Sequence, residues 1–262
     1  MFLIYCMLYF ISPVRLPQPQ HLPKDLLADR EVENMASPKS KSNALSTRSR
    51  LLQAASILFY EQGYAATTLA QISEKSGVNN GLITYYFGSK NNLASEIYNL
   101  YLMNIRAEIS RQLFLERKEF SMELGIAVEQ RVSLALKLKN PNLLRFDNEY
   151  HKDRVSFTST NDRRERYYDL QKMLINPDIS DIDLKLYSIC GIAVVRIIAE
   201  AYEKNYLSCD VNYLKDYVIR TLFTMLQLPS QQIEALIAES RKWESRVRIK
   251  VGPFFQVSEG TE

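Results

Sequence analysis

Thr67-Thr68-Leu69-Ala70-Gln71-Ile72-Ser73-Glu74-Lys75-Ser76-Gly77-Val78-Asn79-Asn80-Gly81-Leu82-Ile83-Thr84-Tyr85-Tyr86-Phe87-Gly88-Ser89-Lys90 is the stretch that decides how the rest of the chain is read. Thr68 and Gln71 stand at capping-box spacing, so the hydroxyl can accept from the Gln71 N–H while the Gln71 side chain reaches back. Leu69, Ile72 and Ser76 then mark one face of a two-turn helix. Gly77 supplies the positive φ that stops it, Val78 is buried in the turn, and Asn79 caps a second short helix. Ile83 and Phe87, at i and i+4, face inward. Asn80, Gly81, Leu82, Thr84, Tyr85 and Tyr86 are left outward or at the rim. Gly81 lets the backbone approach base edges closely. Ser89 caps a further helix whose N-terminus, with Lys90 in its first turn, offers N–H donors and a positive dipole end to a phosphate. Two short helices about a glycine turn predict a helix-turn-helix, the second helix lying in the major groove of DNA.

Upstream, Leu51, Ala55 and Leu58, widened by Leu52 and Phe59, predict a supporting helix over 47–62, ended by Gly63. Residues 36–50 carry Lys39, Lys41, Arg48 and Arg50 and no acid. They read either as a flexible basic arm following the phosphate backbone or entering the minor groove, or as a solvated lead-in. The whole chain has 33 Lys+Arg against 30 Asp+Glu. Its positive excess sits in 36–92, with six basic residues against Glu61 and Glu74, where a phosphate-binding surface needs it.

In order and spacing the motif closely resembles the TetR/AcrR family of bacterial one-component transcriptional regulators, over about residues 47–93. Leu51-Leu-Gln-Ala-Ala-Ser-Ile-Leu-Phe59, Gly63-Tyr64, Thr67-Thr68-Leu69, Ile72-Ser73, Gly77-Val78, Gly81-Leu82-Ile83, Tyr86-Phe87, Ser89-Lys90 and Leu93 carry the likeness. The resemblance implies phosphate contacts from Thr68, Tyr86 and Lys90, and groove contacts from Asn80, Gly81, Thr84 and Tyr85. For Tyr85 and Tyr86 the competing reading is packing within the helices. Asn79 stands where the family often has Ser, another N-cap. Thr84 replaces the first aromatic of the family's recognition run, which gives a shorter reach to a phosphate or a thymine methyl. Asn80, at a variable position, suits the adenine N6/N7 edge; a solvated Asn is the alternative.

The fold expected is all-α, with about nine or ten helices. An extension and arm over 1–45 precede a three-helix DNA-binding domain over 46–92. A larger helical ligand-binding and dimerisation domain spans 93–250, and 251–262 is a frayed tail. Within the body, helices are expected over 91–118, 122–138, 141–154, from 159/160 to 175, 180–207, 210–228 and 229–248. The resemblance implies a homodimer paired through 180–207 and 210–228, an inverted-repeat operator in double-stranded DNA, and a small-molecule effector of unknown identity. Arg106, Phe146, Tyr150, Tyr167 and Tyr187 are the candidates to line its pocket, with core or surface placement as the competing reading. The rival function is an adaptor of the same fold that binds DNA and recruits a protein without a ligand.

Residues 1–11 form an apolar run too short to span a bilayer, followed by Pro13, Pro17, Pro19 and Pro23. They read as an upstream extension or disordered tail ahead of Met35, with an accessory segment or a membrane anchor as alternatives. Cys6, Cys190 and Cys209 imply no disulfide framework, which fits a cytoplasmic protein. Cys190 reads as a core thiol. His21 and His151 are the only histidines, and neither lies at metal-ligand spacing; His151 reads as a surface histidine among charges. No nucleophile motif or phosphate loop stands out, so neither catalysis, metal nor cofactor is expected.

Overall fold

The computed structural model describes residues 38–117, 121–152 and 162–260, with side chains from 47 and, after the second gap, from 166. Expectations for residues 1–35, and for a helix start at 159/160, lie outside the described residues. The described chain forms ten α-helices and one small hairpin, so the all-α expectation holds. The helices are α1 Pro38–Gln62, α2 Leu69–Ser76, α3 Asn80–Phe87, α4 Lys90–Arg117, α5 Met122–Lys139, α6 Pro141–Lys152, α7 Asp162–Ile175, α8 Asp181–Glu203, α9 Val211–Met225 and α10 Ser230–Glu244.

Two expectations are corrected at the ends of the described chain. The arm is helical from Pro38, so α1 starts about two and a half turns before the helix expected over 47–62. Proline at a first helical position is pre-organised for that start. The 251–262 tail is not frayed as far as Gly260: β1 Ile249–Val251 pairs antiparallel with β2 Val257–Glu259 around a 3-10 turn, Pro253–Phe255. Alternation in so short a stretch is too brief to read as strand.

One core runs from the DNA-binding end into the body, from Leu51, Phe59 and Ile83 through Ile105, Phe146 and Phe223 to Trp243. A smaller cluster of Leu134, Leu144, Ala199 and Leu214 joins α5, α6, α8 and α9. The body is fastened by a buried ionic knot. Arg131 of α5, wholly buried, donates to Asp216 of α9 and, at 2.7 Å, to Ser240 Oγ of α10. Arg241 of α10 closes on the same carboxylate. The α10 face made of Ile233, Leu236, Ile237, Ser240 and Trp243 is buried. Gly191 does allow a close approach, since a Cβ there would lie 3.0 Å from Leu222 Cδ2. Cys190, expected in the core, is half-buried instead.

The hairpin reaches back to the DNA-binding end. Phe254 (φ 61°) and Phe255 (φ 62°) are both left-handed, a conformation that costs a bulky residue about 1–3 kcal/mol and persists only where the surroundings enforce it. Phe255, only 5% exposed, lies 4.7 Å from the Phe146 ring, 5.7 Å from Tyr60 and 6.1 Å from Tyr101, centroid to centroid.

Candidate nucleic-acid interface

The helix-turn-helix forms through the local chemistry its sequence specifies. Thr68 Oγ1 accepts from Gln71 N at 3.2 Å, and Gln71 Oε1 accepts from Thr68 N at 2.8 Å. Gly77 adopts φ 62° and Val78 is buried. Asn79 Oδ1 accepts from Gly81 N at 2.8 Å. Ile83 and Phe87 are buried beneath α3. The opposite face is open: Asn80, Gly81 and Thr84 are exposed, Leu82 is 39% exposed and Tyr85 79%. Eight residues make α3 about 12 Å long, close to the width of the major groove.

Tyr86 is half-buried and packs on the core, its ring edge-on to Tyr85 at 5.1 Å. Its body packs at the rim of the open face, as the packing reading expects. Thr68 is exposed at the N-cap of α2. Lys90 is more occupied than its sequence position implied. Its Nζ donates at 3.0 Å to both Tyr64 O and Thr67 O, and lies 4.2 Å from the Tyr64 ring centroid. An ammonium has three donors, so these bonds leave one for a phosphate. Around it, Ser89 Oγ accepts from Asn92 N at 3.1 Å and caps α4.

Arg48 and Arg50 serve neither as a flexible arm nor as a solvated lead-in. Arg50 Nη2 donates to Ser76 O at 2.5 Å and Gly77 O at 3.2 Å, capping the end of α2 from α1. Arg48 pairs with Glu96 at 2.5 Å and lies 5.1 Å over the Phe87 ring. Both fix the platform that presents α3. Composition alone cannot separate a cation that clamps carbonyls from one that waits for phosphate. Leu82 was seen as outward but not as a contact, and its exposed side chain suits a thymine methyl.

Residues 51–97 match the family described as bacterial regulatory proteins, tetR family. Over this stretch the chain is similar to the DNA-binding part of TetR/AcrR regulators. The regulator AcrR of Shigella flexneri is 40% identical over 67 residues, 26% of this chain and 31% of that protein. The repressor Rv3405c of Mycobacterium tuberculosis is 45% identical over 82 residues, 31% of this chain and 42% of that protein. The chain thus spans less than half the length of these curated relatives. A solved structure of RolR with resorcinol aligns over 79% of this chain and 96% of that one, at 16% identity and a TM-score of 0.47.

The five residues named for a ligand pocket divide between three places. Arg106 and Tyr167 come together: Arg106 Nε donates to both Glu129 carboxylate oxygens at 2.9 Å, its guanidinium lies 4.0 Å over the Tyr167 ring, and Tyr167 Oη donates to Glu129 at 3.3 Å. Burial, with the Glu129 charge beside it, pushes the Tyr167 phenol well above its ordinary range. With Met122, Gly125 and Ile126 these residues line a shallow, open cleft whose cavity volume is about 10 Å³, room for about one water molecule. Tyr187 is buried nearby and donates to Gln171 Oε1 at 2.8 Å.

Phe146 and Tyr150 are displaced from that cleft. Both are buried where α6 meets the DNA-binding end, Phe146 5.7 Å from Phe59 and Tyr150 5.9 Å from Tyr64. Their helix also caps that end with charges. Glu149 Oε2 accepts from Ala65 N at 2.8 Å, and Arg145 Nη2 donates to Tyr60 O and Glu61 O at 3.0 and 2.8 Å. Gly63 has φ 91°, and a Cβ there would meet Glu149 Oε2 at 2.5 Å. That glycine therefore serves both the end of α1 and the docking of α6. His151 is likewise not on the surface: its side chain is 7% exposed, with Nδ1 2.8 Å from Asp147 O and the ring 5.2 Å from Tyr98.

Proposed function

We propose that the protein is a cytoplasmic transcriptional repressor that binds an inverted-repeat operator in double-stranded DNA as a homodimer and leaves it when a small molecule binds the body. The observation that carries the DNA half is the open face of α3, with Asn80, Gly81, Leu82, Thr84 and Tyr85 on a platform capped at every end. Asn80, Gly81, Thr84 and Tyr85 read the groove. Thr68, Tyr86 and Lys90 hold phosphates, Lys90 through its remaining donor and the start of α4.

The dimer is supported by an apolar stripe on α8. Ile182, Leu186, Ile189, Ala193 and Ile197 are exposed along one face, beside exposed Tyr213 and Tyr217 on α9. A stripe of this length on paired helices fits a four-helix contact with a second copy, whose two-fold axis matches a palindromic site. Of the five residues first named, Arg106 and Tyr167 share a cleft with Glu129, and an effector binding there has to open it. No helix among the described residues is long and apolar enough to cross a membrane.

Genomic footprinting of the purified protein tests the reading. Paired half-sites about one DNA turn apart are expected, and Asn80→Ala is expected to relax preference at one base pair in each half-site. An unchanged motif removes Asn80 from base reading. Protection without half-site symmetry counts against the dimer. The adaptor alternative predicts that no small molecule releases the DNA and that the body captures a protein instead.

A further inference from the structure

We propose that the C-terminal hairpin is a latch that sets the stiffness and angle of the joint between the DNA-binding end and the body. Its tip enters where three elements meet. Phe255 packs on Tyr60 of α1, Tyr101 of α4 and Phe146 of α6, and Phe254 lies 5.9 Å from Tyr60. Tyr60 is itself the hinge-side contact of the body, since its carbonyl accepts from Arg145 and its hydroxyl from Asn140 Nδ2 at 3.0 Å.

The latch is built to release. Its strands are three residues each, and a lone two-stranded hairpin is marginal in water. Val247, Ile249, Val251 and Val257 pack half-buried against the core, and the base is tied to α4 by polar groups at the surface. Gln112 Nε2 donates to Arg248 O at 3.0 Å, Gln112 Oε1 accepts from Arg248 N at 2.9 Å, and Arg111 pairs with Glu259 at 2.5 Å. Its tip holds two aromatic residues in left-handed backbone conformation, which relax once the tip leaves its socket. Apart from Phe255 its apolar side chains are only half-buried, and with its strained tip this makes it less firmly held than the helices it bridges. A seated tip wedges α1 against α6, and a released tip frees the joint. A freed DNA-binding end samples more orientations, so the fraction ready to span two half-sites falls. This last step rests on the DNA-binding reading above; the mechanical role does not.

The test compares full-length protein with Phe255→Ala, which empties the socket, and with Gln112→Ala, which detaches the base without touching the core. Hydrogen exchange is read at α6 and the last turn of α1, with α5 and α10 as reference. Affinity is read on the footprinted duplex and on a random-sequence duplex. Both variants are expected to speed exchange at the joint while α5 and α10 keep wild-type rates. Both are expected to weaken specific binding about tenfold and leave random-sequence binding unchanged. Unchanged exchange at the joint in Gln112→Ala overturns the latch, as does exchange that rises equally in α5 and α10. A loosened joint with unchanged specific affinity overturns its link to DNA. If the wild-type protein binds neither duplex, the DNA-binding reading fails, and the exchange data alone decide the latch.

Discussion

In α2, the turn and α3, polar partners lie two to five residues apart along the chain: Asn79 with Gly81, Thr68 with Gln71, Ser73 with Val78. At the joint behind them, Ala65 meets Glu149 across 84 residues and Tyr60 meets Arg145 across 85. The first region is assembled by spacing, so each cap can form as its helix forms. The second exists only once distant segments have docked, and it uses large buried rings and charged side chains on backbone carbonyls. On the proposed reading both kinds of construction serve: a reading head rigid in itself and an attachment that responds to the body.

Substitution at the joint is the strongest way to break this contrast. Phe146 is fully buried among Phe59, Tyr98, Tyr150 and Phe255. Phe146→Ala is expected to cost about 3–5 kcal/mol, the range for emptying a large aromatic site in a core. Urea denaturation reads the loss; a change below about 1 kcal/mol would show that the two ends are not cooperatively joined through this ring.

Asp147, one residue on, gives a nearly equal effect with a pH signature. It is wholly buried, with Lys137 Nζ 3.0 Å from Oδ2 and His151 Nδ1 3.5 Å from Oδ1. Burial opposes its ionisation, but the Lys137 ammonium and the His151 ring outweigh that and hold the carboxyl below its ordinary value. Folding therefore favours the ionised form. Its contribution is present above the ordinary carboxylate range and is lost as pH falls through the lowered value. Asp147→Asn leaves Lys137 buried and unpaired, at a cost of about 3 kcal/mol near neutral pH. The variant's stability is expected to fall less steeply than wild type on acidification. Equal acid slopes would remove Asp147 from that role.

These two residues show why the joint was illegible. Phe146 and Tyr150 at i and i+4 on a mixed helix look the same in sequence whether they line a pocket or a domain contact, and the deciding partners are far along the chain. His151 among Asp147, Glu149 and Asp153 has the composition of a surface patch; burial arises because Tyr98 and Tyr150 close over it. By contrast, Thr68, Gly77, Asn79, Ile83 and Phe87 stand in the roles their spacing indicated, because a cap or an i, i+4 pair is decided within a single turn. Helix ends in the body were legible for the same reason, at Asn140-Pro141 and at Ser180. Arg48 and Arg50 fall between: their positive charge was visible, but whether it faced carbonyls or solvent was not.

Lys90 lies on the border between the two regions and has a smaller, divided effect. Lys90→Ala removes two charge-assisted bonds, to Tyr64 O and Thr67 O. A loss of about 1.5–3 kcal/mol in stability is expected. If its third donor also holds a phosphate, affinity falls roughly uniformly across DNA sequences and the salt slope drops by about one. A stability loss with an unchanged salt slope assigns Lys90 to the platform alone. A change in sequence preference contradicts both roles.

Tyr85 sits at the far end of the comparison. Tyr85 is 79% exposed, and its ring packs edge-on against that of Tyr86, adjacent in sequence. Such a side chain contributes little to folding, so Tyr85→Ala is expected to change stability by less than about 0.5 kcal/mol. An exposed aromatic on the open face of an eight-residue helix keeps its apolar surface in water unless something covers it. On the reading proposed above, DNA covers it, and the alanine variant loses affinity for the footprinted duplex while melting as the wild type does. Fluorescence anisotropy and thermal melting on the same samples separate the two quantities. A variant that melts early places Tyr85 in the platform; one that melts normally and binds normally leaves the groove to Asn80, Leu82 and Thr84. On that reading the contrast between a self-built reading head and a long-range joint is sharpest at Tyr85, whose removal DNA is expected to register and the fold is not.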